Sequence, residues 1–309
     1  MPIVVAGNVF VDIKGFPDTK YIPAGRNSGW VEIVHGGVGR NVVEDIANVE
    51  LRPRFVSMVD DTAQGEEVIR KLNNHKVDTR FVAQVPDGMG VWLAIHDATG
   101  DIVSSISKRP EMGAILEILE QHGDEIFADA DSVVVEIDMD KEVIKQIFKY
   151  AGKYKKRVFA VVANMSIASQ RRDFLQSIDC FVCNVQEAGI LFAAEFEDLS
   201  PEEMSRELLE RVCSAHIPSM VVTMGSRGAV FASMKGDCGV CPAQTVRVRD
   251  TTGAGDAFCA GVAIGLTYGK TLMESCEIGS RLASSVITVL ENTCPRFLPE
   301  ELGIDVEVK

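Results

Sequence analysis

The sequence is poor in basic residues. Its 309 residues include 31 Lys and Arg against 45 Asp and Glu, so the formal net charge at pH 7 is −14. Proteins that bind nucleic acid or an anionic membrane surface concentrate positive charge on one face to neutralise phosphates. We therefore expect no nucleic acid and no membrane as a partner, although a phosphorylated small ligand needs only a few local donors.

Long apolar runs are also missing. The longest, from Ala257 to Leu266, is well short of the roughly 18 residues that a membrane-spanning helix requires. The first residues, Met1 to Gly7, lack the basic segment and the long apolar core of a secretory signal. The remaining composition, 46% hydrophobic and 25% charged, is that of a globular protein. These features predict a cytoplasmic protein.

The eight cysteines include two pairs with the spacing of a zinc site, Cys180 with Cys183 and Cys238 with Cys241. The first pair lies in an apolar run of strand length, where side chains three residues apart point to opposite faces and cannot share one metal. The second pair flanks a glycine and would lack further ligands. We expect reduced thiols with a structural role, since cysteine is among the most often buried residues.

Short apolar runs alternate with helical patterns along the chain. The predicted strands are Ile3–Ala6, Arg54–Val59, Ser132–Glu136, Arg157–Val162, Cys180–Val182 and Met220–Thr223. The predicted helices are Val42–Val49, Gly65–His75, Lys141–Tyr154 and Pro201–Ala215. Such alternation is typical of βαβ units. It predicts one α/β domain, residues 1–309, with a doubly wound, mostly parallel sheet and helices on both of its faces.

Two stretches, about residues 9–34 and 89–107, contain strand patterns that no helix separates. The second reads as a hairpin with a turn at Asp97–Gly100. Strands of this kind fit poorly inside a parallel sheet, so they predict a small separate β-sheet that acts as a lid over a cleft. An edge hairpin of the main sheet is the alternative.

The segment from Asp250 to Asp256, Asp-Thr-Thr-Gly-Ala-Gly-Asp, carries the strongest chemical signal. It follows a predicted strand, Gln244–Val248, and opens a helix of small apolar residues. Backbone amides at a helix N-terminus bind anions, and here they belong to Gly253, Ala254, Gly255 and Asp256. The Asp256 carboxylate would repel that anion if it only capped the helix. It makes chemical sense as a base that takes a proton from an attacking hydroxyl.

Four motifs resemble those of ribokinase-like, PfkB-type carbohydrate kinases. Asp250–Phe258 is similar to the C-terminal signature of that family and His35–Asn41 to its N-terminal signature. Asn184–Glu187 and Thr223–Gly228 lie between them, in the order that the family shows. The resemblance implies the ribokinase-like fold and an ATP-dependent phosphotransferase that acts on an alcohol group, with Mg²⁺ as cofactor.

The resemblance also implies roles for individual residues. The catalytic residues would be Asp256, Gly253, Ala254 and Gly255. The substrate-binding residues would be Asp12, Gly36, Gly37, Asn41 and Asn164. The nucleotide-binding residues would be Asn184, Thr223, Gly225 and Gly228. The metal-binding residues would be Glu187 and Asn184 for Mg²⁺, acting through water, and Asp250 and Thr252 for a monovalent cation such as K⁺. A helix-capping pair is the alternative for Asn184 and Glu187, and a solvated lid charge for Asp12.

Departures from the family pattern bear on the substrate. Val38 and Arg40 replace the lysine and the small residue common in ribokinases, and Ala160–Asn164 lacks the acidic residue and proline of many sugar kinases. Gly36–Asn41 looks instead like pseudouridine kinases of the family. Because Trp92 on a lid strand suits a flat ring, a nucleoside is favoured over a sugar such as ribose or fructose. The alternative for Trp92 is a contact with the lid of a partner subunit.

Two other classes of function compete with a kinase. A non-catalytic regulator that binds a sugar or nucleoside could share the fold, but it has no use for the carboxylate of Asp256 facing a phosphate. A nicotinamide oxidoreductase is disfavoured because Val42 stands where the third glycine of the dinucleotide fingerprint belongs. The expected partners are therefore ATP and a sugar or nucleoside, and the exposed lid strands would suit a homodimer.

Overall fold

Two β-sheets organise the chain in this computed structural model, which describes residues 2–97, 102–289 and 291–305. The strands are β1 (Ile3–Ala6), β2 (Phe10–Pro17), β3 (Gly29–Gly36), β4 (Arg54–Val59), β5 (Asp78–Gln84), β6 (Gly90–His96), β7 (Ile102–Lys108), β8 (Ser132–Glu136), β9 (Arg157–Val161), β10 (Cys180–Asn184), β11 (Ser219–Thr223), β12 (Ala229–Ser233) and β13 (Cys238–Cys241). The α-helices are α1 (Val38–Asn48), α2 (Ala63–Asn74), α3 (Gly113–Phe127), α4 (Lys141–Lys153), α5 (Met165–Ala168), α6 (Arg172–Leu175), α7 (Val185–Phe192), α8 (Pro201–Ala215), α9 (Ala254–Thr267) and α10 (Leu272–Val286). Short 3₁₀ helices cover Gly225–Arg227 and Pro299–Leu302.

The large sheet has the strand order β13-β12-β11-β10-β9-β8-β1-β4-β5. Its strands are parallel from β11 to β5, and β12 and β13 add antiparallel strands at one edge. In β8, Val133 and Val135 pack into one core while Val134 packs into the other. Helices α3, α4, α7 and α8 cover the first face, and α1, α2, α9 and α10 the second. The predicted doubly wound α/β fold is confirmed.

The second sheet, which we call the lid sheet, consists of β3, β2, β6 and β7 in that order. Its strands share no hydrogen-bonded ladder with the large sheet within the described ranges, so the prediction of a separate sheet is confirmed and the edge-hairpin alternative is wrong. The strands run slightly further than predicted, to Gly36 and Lys108. Of the predicted turn Asp97–Gly100, residues 98–100 lie outside the described residues.

The structure differs from the prediction at the start of α1 and at Gln244–Val248. Helix α1 begins at Val38, four residues before the predicted start, directly after Gly37 in a non-helical conformation with φ 101°. The predicted strand Gln244–Val248 is wrong, because the segment lies beyond β13, the last strand of the sheet, and no described strand pairs with it. Val248 is accordingly 55% exposed. Helix α8 begins as predicted, with Ser200 and Glu203 forming a capping box.

The cysteines follow the strand pattern. Cys180 packs into the core on one face of the large sheet and Cys183 into the core on the other, so the prediction of opposite faces is confirmed. On β13, Cys238 is exposed and Cys241 is buried. Among the helices that the structure describes, none combines the length and the apolar character that crossing a membrane requires. The cytoplasmic location stays a prediction.

Parallel strands place their carboxyl ends along one edge of the large sheet, and in open α/β sheets that edge holds ligands. Polar residues end or follow four neighbouring strands there: Glu136 on β8, Asn164 after β9, Asn184 on β10 and Thr223 on β11. The lid sheet faces these residues across a common cavity. The fold thus brings together side chains that lie far apart in the sequence.

Candidate active site

A cavity of about 480 Å³ lies between the lid sheet and the carboxyl edge of the large sheet. The lid sheet contributes Phe10, Asp12, Trp92 and Ser107 to its wall. Asp12 and Trp92 are paired in register on β2 and β6, whereas the next residue, Leu93, is 38% exposed. Since side chains alternate along a strand, Trp92 points to the cavity and Leu93 to the outer surface of the lid.

The N-terminus of α9 forms one end of this cavity, which Gly253, Gly255 and Asp256 line. Gly253 precedes the helix with φ 81°, and a Cβ atom there would lie 2.1 Å from the Asn292 carbonyl oxygen, so only glycine fits. The Ala254 amide donates to the Thr251 carbonyl at 3.3 Å. Of the four amides expected to bind an anion, those of Gly253, Gly255 and Asp256 have no acceptor among the described residues.

Asp256 is held by a side chain from the other end of the sequence. Asn41 Nδ2 donates to Asp256 Oδ2 at 2.7 Å, and Asn41 Oδ1 accepts from Arg40 Nη1 at 2.8 Å. Arg40, 1% exposed, also donates to Asn292 Oδ1 at 3.1 Å and forms an ion pair of 2.6 Å with Glu44. Because Asp256 is the third residue of α9 and its side chain bonds to Asn41, the alternative of a plain N-cap is wrong.

Burial raises the pKa of two of the carboxyl groups that line the cavity, those of Asp256 and Asp12. Desolvation raises the pKa of Asp256 to about 7, against the lowering effect of the Asn41 hydrogen bond. The pKa of Asp12 rises to about 6 for the same reason, and the charges of Lys14 and Arg40 limit the rise. The alternative of a solvated lid charge for Asp12 therefore does not describe this structure.

Gly36 allows the carboxylate of Asp12 to lie against the neighbouring strand. A Cβ atom at Gly36 would lie 2.2 Å from Asp12 Oδ2, well inside contact distance. Gly36 itself does not line the cavity, whereas Gly37 and Asn41 do. The first glycine of the pair therefore shapes the site through the position of Asp12.

Asn184 and Glu187 form the capping box of α7. The Asn184 amide donates to Glu187 Oε2 and the Glu187 amide donates to Asn184 Oδ1, each at 2.8 Å. The capping alternative is therefore present, but both side chains also line the cavity. Glu187 Oε1 has no protein hydrogen-bond partner among the described residues, and burial raises the pKa of Glu187. One pair of residues thus combines a structural contact with a carboxylate oxygen available to a ligand.

Glu136, Asp138 and Arg109 also line the cavity, and sequence reasoning missed them. Glu136 is buried and accepts from the backbone and side-chain nitrogens of Asn8, each at 2.9 Å. A signal existed for the two acids, because Glu136 ends a predicted strand and Asp138 follows it, at the carboxyl end where ligands bind. Nothing in the local sequence marks Arg109, which follows the last lid strand.

A second cavity of about 500 Å³ adjoins the first, and Thr223 and Gly255 line both. Gly225, Gly228 and Ala254 lie on its wall, and the nucleotide-binding role of the two glycines stays a prediction. Sequence reasoning assigned no site role to the other wall residues, which include Ala243–Val246, Val248, Ser280, Ala283, Ser284 and Ile287.

Asp250 lines neither cavity, whereas Thr252 lines the first. Asp250 Oδ1 accepts from the Thr252 amide at 2.9 Å and from Thr252 Oγ1 at 2.8 Å. Desolvation acts to raise the pKa of Asp250, but these hydrogen bonds outweigh it and the pKa is lowered. Except for Gly36 and Asp250, every predicted site residue lines at least one of the two cavities.

The family model described as "pfkB family carbohydrate kinase" matches residues 3–295. The chain belongs to this family. Guanosine-inosine kinase of Exiguobacterium acetylicum is 32% identical over 294 residues, which cover 94% of this chain and 95% of that protein. Pseudouridine kinase of Escherichia coli (strain K12) is 25% identical over 288 residues, covering 93% and 90% of the two chains. The predicted family is confirmed.

Solved structures show the same fold. Ribokinase of Arabidopsis thaliana, in complex with ribose and ATP, superposes with a TM-score of 0.81 at 22% identity and covers 97% of this chain and 98% of that chain. Ribokinase of Giardia lamblia gives a TM-score of 0.83 at 18% identity, with 98% of each chain covered. Membership of the family makes the protein a sugar or nucleoside kinase, a phosphotransferase with an alcohol acceptor. Ribokinase-like kinases use ATP, typically with Mg²⁺.

We expect the carboxyl group of Asp256 to titrate near pH 7, far above the usual 3.8. A hydrogen bond to the charged form lowers a pKa, so Asn41→Ala should move the midpoint to a higher pH. Carbon-detected NMR of the aspartate carboxyl groups measures both midpoints, and Asp256→Asn assigns the signal. A midpoint near 4 in both proteins would show that the site is more solvated than its geometry indicates.

Proposed function

We propose that this kinase transfers the γ-phosphoryl group of ATP to the primary hydroxyl of a nucleoside, with Asp256 as the general base. The observation that carries the proposal is the position of Asp256. It lies at the N-terminus of α9, where the first cavity, which we call the acceptor cavity, meets the second. A pKa of about 7 suits proton acceptance at neutral pH. The carboxylate would take the proton of the hydroxyl as that oxygen attacks the γ-phosphorus.

ATP would lie in the second cavity, with its phosphates directed to the first through the shared residues Thr223 and Gly255. Asn184, Gly225 and Gly228 would contact the nucleotide. The unpaired amides at the start of α9, together with the positive end of its dipole, would stabilise the charge on the transferred group. The lid sheet would exclude the water that otherwise hydrolyses ATP.

The oxygen atoms near the proposed phosphate position are suitable ligands for Mg²⁺. Oxygen ligands suit this hard cation, and Glu187 offers Oε1 to the cavity beside Asn184. Both residues would hold the ion through its water shell. When bound, Mg²⁺ neutralises charge on the β- and γ-phosphates. Asp250 and Thr252 would contribute to a monovalent-cation site, with K⁺ the proposed ion, although Asp250 Oδ1 is already hydrogen-bonded to Thr252.

Three observations support a nucleoside as the acceptor. Trp92 and Phe10 give the lid side of the cavity an aromatic surface suited to a flat ring. Asp12 and Asn41 lie where they can bind ribose hydroxyls, and Asn164 lies on the opposite wall. Two of the relatives above act, by their names, on guanosine, inosine or pseudouridine. We favour pseudouridine or a purine nucleoside over ribose and fructose.

The outer face of the lid sheet supports a homodimer. Ile33, Ile13, Leu93 and Ile106 are neighbours in register across all four strands and form one apolar row. Ile33 is 58% and Ile106 68% exposed, which is unusual for such a row in a monomer. We propose that a second copy of this chain covers it, which sedimentation velocity would detect as a species of about twice the chain mass.

Asp256→Asn should lower kcat at least 100-fold, because loss of a general base typically reduces the rate 10²–10⁴-fold. Asparagine has nearly the same volume and keeps an oxygen that accepts from Asn41, so the melting temperature should change little. Steady-state kinetics with saturating ATP measures the effect, and Asp61→Asn at an exposed position serves as the control. Near wild-type turnover in Asp256→Asn would contradict the mechanism.

Glu187→Gln should raise the Mg²⁺ concentration for half-maximal rate, with a smaller loss at saturation. Glutamine keeps the capping hydrogen bond but removes the charge, so a change in stability cannot explain the shift. Glu203→Gln is a matched control, because Glu203 has the same capping role in α8 and is exposed. Equal Mg²⁺ requirements in the wild type and Glu187→Gln would leave Glu187 only its structural role.

A panel of acceptors tests the substrate class. We expect pseudouridine, guanosine or inosine to have a kcat/KM at least tenfold above ribose, fructose and fructose phosphates, a difference of about 1.4 kcal/mol. A coupled assay of ADP release measures each acceptor under the same conditions. Preference for a free sugar would contradict the nucleoside assignment and leave the kinase assignment intact.

A further inference from the structure

Arg109 is the only cationic side chain among the described residues that line the acceptor cavity. Five carboxyl groups line the same cavity, those of Asp12, Glu136, Asp138, Glu187 and Asp256. Neither the phosphoryl transfer nor the metal site proposed above uses Arg109. It follows the lid strand that carries Ser107, so it lies on the acceptor side of the site.

The guanidinium group of Arg109 is anchored through one nitrogen, Nη2. Nη2 donates to the Asp138 carbonyl oxygen at 2.7 Å and lies 3.4 Å from Asp138 Oδ2. The Asp138 side chain is 1% exposed and is itself fixed, because Oδ1 accepts from the Ala163 amide at 2.9 Å. Nε and Nη1 of Arg109 have no acceptor among the described residues. Arginine has five N–H donors and no acceptor, so Nε, Nη1 and the second N–H of Nη2 remain available to a ligand.

The charge around Arg109 favours a neutral ligand. The Asp138 carboxyl group lies against the guanidinium group and also interacts with Arg171, which does not line the cavity among the described residues. Glu136 lies on the same cavity wall. A phosphate or carboxylate of the acceptor would therefore meet the carboxyl groups of Glu136 and Asp138 beside Arg109. A carbonyl oxygen or ring nitrogen accepts the same hydrogen bonds without that repulsion.

The other polar groups nearby also offer donors. Asn164 Oδ1 accepts from the Ser166 amide at 3.1 Å, which leaves the Nδ2 amide group of Asn164 for a ligand. On the lid, Trp92 and Ser107 are paired in register and both line the cavity. A ring stacked on Trp92 could therefore reach the donors of Arg109 and Asn164 with its edge.

We propose that Arg109, held by Asp138, recognises the oxo edge of a purine base, so that this kinase prefers inosine and guanosine to adenosine. The inference rests on the proposed nucleoside kinase function. A 6-oxopurine presents two acceptors, O6 and N7, which arginine binds with two hydrogen bonds from one edge of its guanidinium group. Here that edge would pair the second N–H of Nη2 with Nη1 or with Nε. Adenine replaces O6 with an amino group, which places a donor against the donors of Arg109.

The test compares kcat/KM for inosine and adenosine in the wild type, Arg109→Met, Arg109→Lys and a matched control, Arg70→Met, in which the replaced arginine is exposed. One bidentate contact predicts a wild-type preference for inosine of about tenfold to a hundredfold. Arg109→Met should bring the ratio close to one, mainly through a higher KM for inosine, with the KM for ATP unchanged. Arg109→Lys should lose most of the preference, since an ammonium group cannot form the paired hydrogen bonds. Arg70→Met should match the wild type.

Melting temperatures are measured first, and Arg109→Lys decides the question if Arg109→Met does not fold. An unchanged ratio of inosine to adenosine in a folded Arg109 variant would overturn the role of Arg109 while the nucleoside kinase stands. A wild type that phosphorylates only free sugars would instead overturn the proposed function. Preference for a sugar acid that Arg109→Met abolishes would show that Arg109 binds a carboxylate, which also contradicts the proposal.

Discussion

The hydrogen bond between Asn41 and Asp256 joins the two halves of the site, and the arrangement of both helix N-termini depends on it. It links α1 and α9, which pack on the same face of the large sheet. Arg40 donates hydrogen bonds to the side chains of Asn41 and Asn292. The backbone carbonyl oxygen of Asn292 lies so close to Gly253 that no side chain fits there. A buried arginine is tolerated only when its partners are complete, so this network holds together as a unit.

The second constraint is electrostatic. Five carboxyl groups surround a cavity whose proposed co-substrate, ATP, is itself an anion. Positive charge must come from a bound cation, from the N-terminus of α9 and from Arg109, which lies against Asp138. The same desolvation that makes this cavity unfavourable for charge raises the pKa of Asp256 to about 7, which suits the base proposed above. Burial thus accounts for both effects.

Much of the fold was predictable because its strands are buried on both faces. Ser132–Glu136 was predicted with correct ends, since a continuous apolar run of that length has few other uses. Gln244–Val248 is rich in β-branched residues but does not form a strand, because pairing requires a neighbour and the sheet ends at β13. The alternation of polar and apolar residues predicts which side chains share a face, but not whether a partner strand is present.

The sequence by itself determined the family, the separate lid sheet and the residues of the glycine-rich turn. Each of these depends on a contiguous segment whose residues are constrained sterically or chemically. Tertiary structure decided what faces these residues. Glu136, Asp138 and Arg109 reach the cavity from the end of one strand and from the connection after another. Their convergence depends on strand order and on the position of the lid, and neither is set by the residues next to them in the chain.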